Sequence, residues 1–277
     1  MVAEAGALRL RVLTGVVLVV VALAAVWLGG VAFVALIAAA VLVMFAEWAV
    51  MHRFGRLTRL IGLASIAFVI LFAQAGSISM AGSISGLGAL CIAQQAALSG
   101  SWLTTRQIEW RAAWAAALGV LYCALPALAL IWMRGLPLGL PATVFLLVVV
   151  WAADIAAYFT GRALGGAKLA PSVSPNKTWS GAIGGVVGAV VVAGGLATAY
   201  LASVDGRGAW KFLMLAAGLA MLSVLGDLFE SWLKRRAGVK DSGSLLPGHG
   251  GVMDRLDGLV PVAVAGAGVF AVTGWAG

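Results

Sequence analysis

Residues 12–50 read VLTGVVLVVVALAAVWLGGVAFVALIAAAVLVMFAEWAV, and Glu47 is the only charged side chain in the stretch. A helix needs about 20 apolar residues to cross the hydrocarbon of a bilayer. The stretch therefore reads as two crossings joined at Gly29-Gly30. Arg9 and Arg11 ahead of the first run, with Ala22-Leu23-Ala24 inside it, resemble a secretory signal peptide. The second run follows so closely that a retained helical hairpin is the preferred reading.

Outward from this hairpin the pattern repeats. Further apolar runs cover Leu60–Ala75, Gly82–Leu98, Ala112–Trp132, Leu140–Gly161, Gly181–Leu201, Phe212–Leu233 and Leu259–Trp275, which with Val12–Leu28 and Val31–Val50 makes about nine spans. Across the 277 residues, 63% are hydrophobic and 10% charged, against roughly 25% charged in an ordinary soluble domain. The alternation of a β-barrel is absent, and in lipid each crossing must satisfy its own backbone. The expectation is an all-α, polytopic transmembrane helical bundle.

The net charge of +8 could indicate nucleic acid, but the distribution of the charges argues for a membrane. With the amino terminus cytoplasmic, Arg9, Arg11, Arg53, Arg56, Arg59, Arg106, Arg111, Arg162, Lys168, Lys177, Lys234, Arg235, Arg236, Lys240 and Arg255 lie inside, and only Arg134, Arg207 and Lys211 outside. This asymmetry is what the positive-inside rule requires. No nucleic-acid partner is expected. Cys91 and Cys123 sit in separate apolar runs and read as small buried hydrophobes, with neither a disulfide framework nor a zinc site implied.

No polar stretch is long enough to fold alone, so residues 1–277 read as one membrane domain. Residues 1–139 look like scaffold helices, in which Glu47 and Gln74 read as helix-packing or interfacial groups. Residues 140–277 carry the chemistry, on helices and two loops, Arg162–Ser180 and Lys234–Asp257, expected at the cytoplasmic face. Gly181, Gly184, Gly185 and Gly188 fall at helical spacing and predict close helix packing.

Asp154 lies inside a span, where a carboxylate costs about 2.5–3.5 kcal/mol and commonly marks function. Tyr158 and Arg162 follow at i+4 and i+8, on one face. A purely structural pairing of Asp154 with Arg162 is the alternative. The next loop holds Ser174-Pro175-Asn176-Lys177-Thr178, a proline bend ahead of a helix whose cation, hydroxyls and amide suit phosphate oxygens. Asp227, Ser231 and Arg235 share a stripe at the end of the eighth span, and a carboxylate with a hydroxyl can hold a hard cation such as Mg²⁺. Glu230 and Lys234 read as an interfacial salt bridge.

Lys240-Asp241 then leads to the run Leu246-Pro247-Gly248-His249-Gly250-Gly251-Val252-Met253-Asp254-Arg255-Leu256-Asp257. The glycines allow close backbone approach and an amide nest for an anion. Asp254 and Asp257, three apart, are expected on one face at the start of the last helix. Acids for a cation and bases for phosphate oxygens together fit a metal–triphosphate complex.

These elements resemble phosphatidate cytidylyltransferases (CDP-diacylglycerol synthases). Ser231-Trp232-Leu233-Lys234-Arg235, Lys240-Asp241 and the run from Leu246 to Asp257 look like that family's signature over 27 consecutive residues, Ser231 to Asp257. Asp154, Tyr158, Gly161-Arg162 and Ser174–Thr178 also look like family elements. The resemblance implies transfer of CMP from CTP to phosphatidic acid at the cytoplasmic face of the inner membrane, giving CDP-diacylglycerol and pyrophosphate. Family members look dimeric, so a homodimer is expected.

On this reading Asp227 and Asp254 bind Mg²⁺, with Asp257 and Ser231 close behind, as ligands of a second cation such as K⁺. Lys177, Lys234, Arg235, Lys240 and Arg255 share the phosphates. Asp154, Tyr158, Arg162, Ser174, Asn176, Thr178, Asp241, His249, Gly250 and Gly251 line the substrates. Two rival readings stand beside it, another Mg²⁺-dependent membrane phosphotransferase and a cation-coupled transporter using Asp154 and Asp227. Against the transporter, the polar residues crowd one face of the membrane rather than its midplane.

Overall fold

A computed structural model describes residues 2–74, 110–205, 209–246, 248 and 250–274. The expected span Gly82–Leu98, with Cys91, and the signature residues Pro247 and His249 lie outside the described residues.

The helices are α1 (Val2–Leu28), α2 (Gly30–Met51), α3 (Arg56–Gln74), α4 (Trp110–Arg134), α5 (Gly139–Leu164), α6 (Trp179–Ala189), α7 (Gly195–Asp205), α8 (Ala209–Ala237), the short α9 (Met253–Leu256) and α10 (Leu259–Thr273). A π-helical turn, Val190–Gly194, joins α6 to α7 in one rod. Among the described residues, six segments are long and apolar enough to cross a membrane, and Val12–Leu28 and Leu259–Thr273 are shorter apolar helices. Eight of the nine expected spans thus have a helical counterpart among the described residues. Large apolar side chains such as Ile155, Phe159, Ile183, Val187 and Val191 stand exposed, as suits a surface in contact with hydrocarbon.

The chain divides into two compact units, Met1–Trp132 with Asp241–Arg255, and Met133–Lys240 with Leu256–Gly277. In the first, Gly29 takes φ 64°, a value glycine adopts without strain, and this breaks the apolar run into α1 and α2. The ring of Phe45 on α2 fills the space left by Gly62 on α3. Trp48 lies over Gly119 of α4 and donates its indole N–H to Ala115 O at 2.9 Å. Cys123 is buried, as expected of a small hydrophobe.

In the second unit, α5 and α6 pack backbone to backbone. A Cβ on Gly185 would stand 2.8 Å from Ala153 O, one on Gly181 3.0 Å from Ala157 O, and one on Gly188 3.3 Å from Ala152 O. The glycine spacing read from the sequence is realised as this seam.

Two local expectations are corrected. The segment Ser174–Thr178 is not a bend: it is strand β2, paired antiparallel with β1 (Lys168–Ala170). With only two strands, Pro175 occupies an edge, where its missing N–H costs little. Lys168 faces Thr178 and Ala170 faces Ser174, so the five residues of β2 oppose the three of β1 and the strand bulges.

The second correction concerns the end of the chain. Asp254 and Asp257 do not share one helix: α9 stops at Leu256, Asp257-Gly258 forms a turn, and α10 starts at Leu259. Pro261 supplies the reason, because a continuous helix would need its N–H to bond Asp257 O and proline has none. Restarting at Leu259 moves Pro261 into the first turn, where no such bond is needed.

Candidate active site

The polar centre of the first unit is organised by Glu47, near the end of α2 and only 7% exposed. Its Oε1 accepts the Val252 N–H at 2.9 Å, and its Oε2 accepts the Met253 N–H at 2.9 Å. The Ser242 hydroxyl lies 3.0 Å from the same Oε2 and 2.9 Å from Asp254 Oδ2. One hydroxyl proton serves two carboxylates there. Asp254 Oδ2 also accepts the Gly251 N–H at 2.8 Å and the Ser242 N–H at 3.0 Å.

The glycines of the signature explain how the chain comes so close. A Cβ on Gly251 would stand 2.6 Å from Glu47 Oε2 and overlap the Ser242 hydroxyl, and one on Gly243 would stand 2.7 Å from Glu47 Oε1. Gly248 and Gly250 take φ 76° and 83°, and Leu246 pairs with Gly250 across the turn between them. The predicted amide nest forms, but its anions belong to the chain itself. The N–H groups of Gly251, Val252 and Met253 are committed to Asp254 and Glu47. A carboxylate withdrawn from water requires such donors, and these are the nearest.

Glu47, read from the sequence as a helix-packing or interfacial group, instead accepts from a distant turn, and Ser242 links it to Asp254. A lone acid in an otherwise uncharged span was the available signal for Glu47.

The second unit gathers different acids. Lys177, from β2, forms an ion pair with Asp227 Oδ2, and the Ser231 hydroxyl donates to Asp227 Oδ1 at 3.4 Å, one helical turn on. Asp257 joins them because Gly226 lets α8 approach closely. A Cβ at Gly226 would crowd Asp257 O and stand 2.7 Å from the Pro261 ring.

The Asp257 carboxyl is pushed up to about 7, first by burial, then by the charges of Asp227 and Asp154. The Gly258 N–H, donating to Asp257 Oδ1 at 2.8 Å, and the Lys177 ammonium pull the other way. Asp154 thus acts electrostatically on the same group, from a helix on which Arg162 Nη1 donates to Tyr158 Oη at 3.4 Å.

The remaining candidates are placed as follows. Thr178 caps α6, its hydroxyl accepting the Gly181 N–H at 3.1 Å, beside Ser180 Oγ at 3.0 Å. Ser174 is half-buried and Asn176 exposed on β2. Arg235 donates to the carbonyls of Val173 at 3.3 Å and Val239 at 3.5 Å. Lys234 pairs with Glu230 at 2.7 Å, but Glu230 is 0% exposed, so the pair is buried rather than interfacial. Lys240, Asp241 and Arg255 are exposed.

Among the described residues, no three His, Cys, Asp or Glu side chains form a ready-made metal cage. Mg²⁺ does not demand one. It is commonly held by one or two carboxylates, with waters and substrate phosphates completing the shell. Asp227 and Asp257, with mutual repulsion that a cation would relieve, fit that mode.

Comparison with known proteins identifies the family. A protein from Brucella suis biovar 1 (strain 1330) named phosphatidate cytidylyltransferase is 45% identical over 262 residues, 92% of this chain and 90% of that protein. Proteins of the same name from Haemophilus influenzae, 48% identical over 44% of this chain and 42% of theirs, and Pseudomonas aeruginosa, 40% identical over 53% of each, are also similar. The model of the cytidylyltransferase family matches residues 9–272. With that match running through both units and every acid described above, the chain belongs to the cytidylyltransferase family.

Proposed function

We propose that the chain transfers the cytidylyl group of CTP to phosphatidic acid, forming CDP-diacylglycerol and pyrophosphate, at the cytoplasmic face of a bacterial inner membrane. The observation that carries the site assignment is the grouping of Asp154, Asp227 and Asp257 against Lys177 in a chain of this family.

The phosphate of phosphatidic acid is already an anion at neutral pH, so it needs no general base. One of its oxygens bonds to the α-phosphorus of CTP as the bond from that phosphorus to the bridging oxygen breaks, and pyrophosphate leaves. The residues' task is alignment and charge neutralisation, both large terms in phosphoryl transfer. Lys177, drawn to Asp227 in the absence of substrate, turns to the phosphates when they bind. Lys240 and Arg255, on exposed stretches of the signature, add positive charge for the triphosphate. Asp227 and Asp257 would hold Mg²⁺, with Ser231 orienting Asp227. Asp254, the other aspartate that the signature offers as a cation ligand, would keep that role in the orientation its own unit gives it. A bound Mg²⁺ supplies Lewis-acid neutralisation of phosphate oxygens.

The placement at the cytoplasmic face rests on the distribution of Lys and Arg. A soluble nucleotide and a lipid can meet only at a boundary.

The test is to incubate detergent-solubilised protein with radiolabelled CTP, phosphatidic acid and Mg²⁺ and look for a labelled lipid. A labelled lipid that forms only with both substrates supports the assignment. Labelling from ATP with no CTP dependence, or uptake into sealed vesicles without conversion, would refute it.

A further inference from the structure

We infer that Glu47, on a helix read from sequence as scaffold, is a positioning residue for the reaction, holding the signature turn so that Asp254 keeps one orientation. This inference rests on the function proposed above.

The argument starts from what the carboxylate touches. Glu47 receives the successive N–H groups of Val252 and Met253, one on each oxygen, and so fixes the Gly251–Val252 and Val252–Met253 peptide planes a residue ahead of Asp254. Through Ser242 it reaches Asp254 a second time, because that hydroxyl lies within 3.0 Å of Glu47 and 2.9 Å of Asp254. Asp254 Oδ2 is thereby held by Gly251 and Ser242, and the side chain cannot rotate without releasing both.

Glu47 is itself fixed, since its neighbour Trp48 is anchored to Ala115 O and packed over Gly119. The glycines at 243 and 251 leave room for its oxygens. An ordinary packing residue does not require two glycines and three donors on a segment about 200 residues away. A carboxylate is the one side-chain group that accepts at both oxygens: a Gln amide offers one acceptor and turns its NH₂ against a backbone N–H.

The test compares wild type with Glu47→Gln and Glu47→Asp, measuring kcat, KM for CTP and thermal midpoint in detergent. The expected result for folded Glu47→Gln is a kcat lower by on the order of tenfold to a hundredfold, the cost of a small misplacement at a reacting centre. KM for CTP changes less than about threefold, and Glu47→Asp, which keeps two acceptor oxygens, recovers part of the loss. A purely structural role would lower the thermal midpoint and leave kcat per folded molecule intact, without rescue by Asp.

Wild-type kcat in folded Glu47→Gln overturns the inference. Where that variant does not fold, Glu47→Asp decides, since its shorter reach should still lower kcat, and wild-type kcat there overturns it equally. If wild-type protein makes no labelled lipid, the proposed function fails and not this inference alone.

Discussion

The two units treat their acids in opposite ways. In the first, Glu47 and Asp254 are surrounded by donors of the chain's own making, backbone N–H groups and one hydroxyl. In the second, Asp154 and Asp227 raise the Asp257 carboxyl, and Lys177 and one backbone N–H only partly offset them. Donor-rich carboxylates hold protein in shape, whereas crowded carboxylates favour any cation that arrives. The difference separates Glu47, an acid that builds the turn carrying Asp254, from the crowded acids of the second unit.

Breaking the working cluster should have the largest effect. Asp227→Asn is expected to lower kcat/KM by on the order of a hundredfold to a thousandfold at saturating Mg²⁺, with the thermal midpoint little changed. Radiolabelled product formation checks it, and near-normal turnover would place Asp227 among the building acids.

Gly251→Ala attacks the building cluster instead. The added methyl meets Glu47 and the Ser242 hydroxyl, and a stability loss of about 1–3 kcal/mol, the range for overpacking, should appear in thermal unfolding. An unchanged midpoint would mean that the turn carries no tight contact.

Thr178→Ala removes the cap of α6, and a loss of about 1 kcal/mol is expected in the same measurement.

The smallest effect is on pH. The Asp257 carboxyl near 7 must lose its proton before it can hold a cation, so the Mg²⁺ concentration for half-maximal rate should climb as pH falls through about 7 and level off above it. Linkage gives the matching stability trend: between 3.8 and about 7 the folded protein retains a proton that the unfolded chain has lost. Ion-free protein therefore loses stability as pH rises across that window. Asp154→Asn removes one of the charges that raise Asp257, and both transitions should move to lower pH. A transition that stays in place would show that Asp154 does not act on Asp257.

The spans were legible because a backbone in hydrocarbon has one helical solution, and the α5–α6 seam because glycine spacing maps directly onto a helix face. The acids at 154, 227 and 257 were legible one by one, and membership of a common cluster for all three was not. Asp257 was read by its spacing from Asp254, when Pro261, four residues on, decides where the helix begins. The partners of Glu47 were hidden for a different reason. They lie 195 to 206 residues away, and no local pattern carries a contact of that range. The β1–β2 hairpin escaped notice because Pro175 points away from a strand anywhere but at an edge.

The seam between α5 and α6 bears on how a two-tailed lipid is accommodated. With glycine α-carbons of one helix against carbonyls of the other, no methylene fits between them. The seam itself therefore offers no slot for an acyl chain, and an added side chain there would loosen the scaffold.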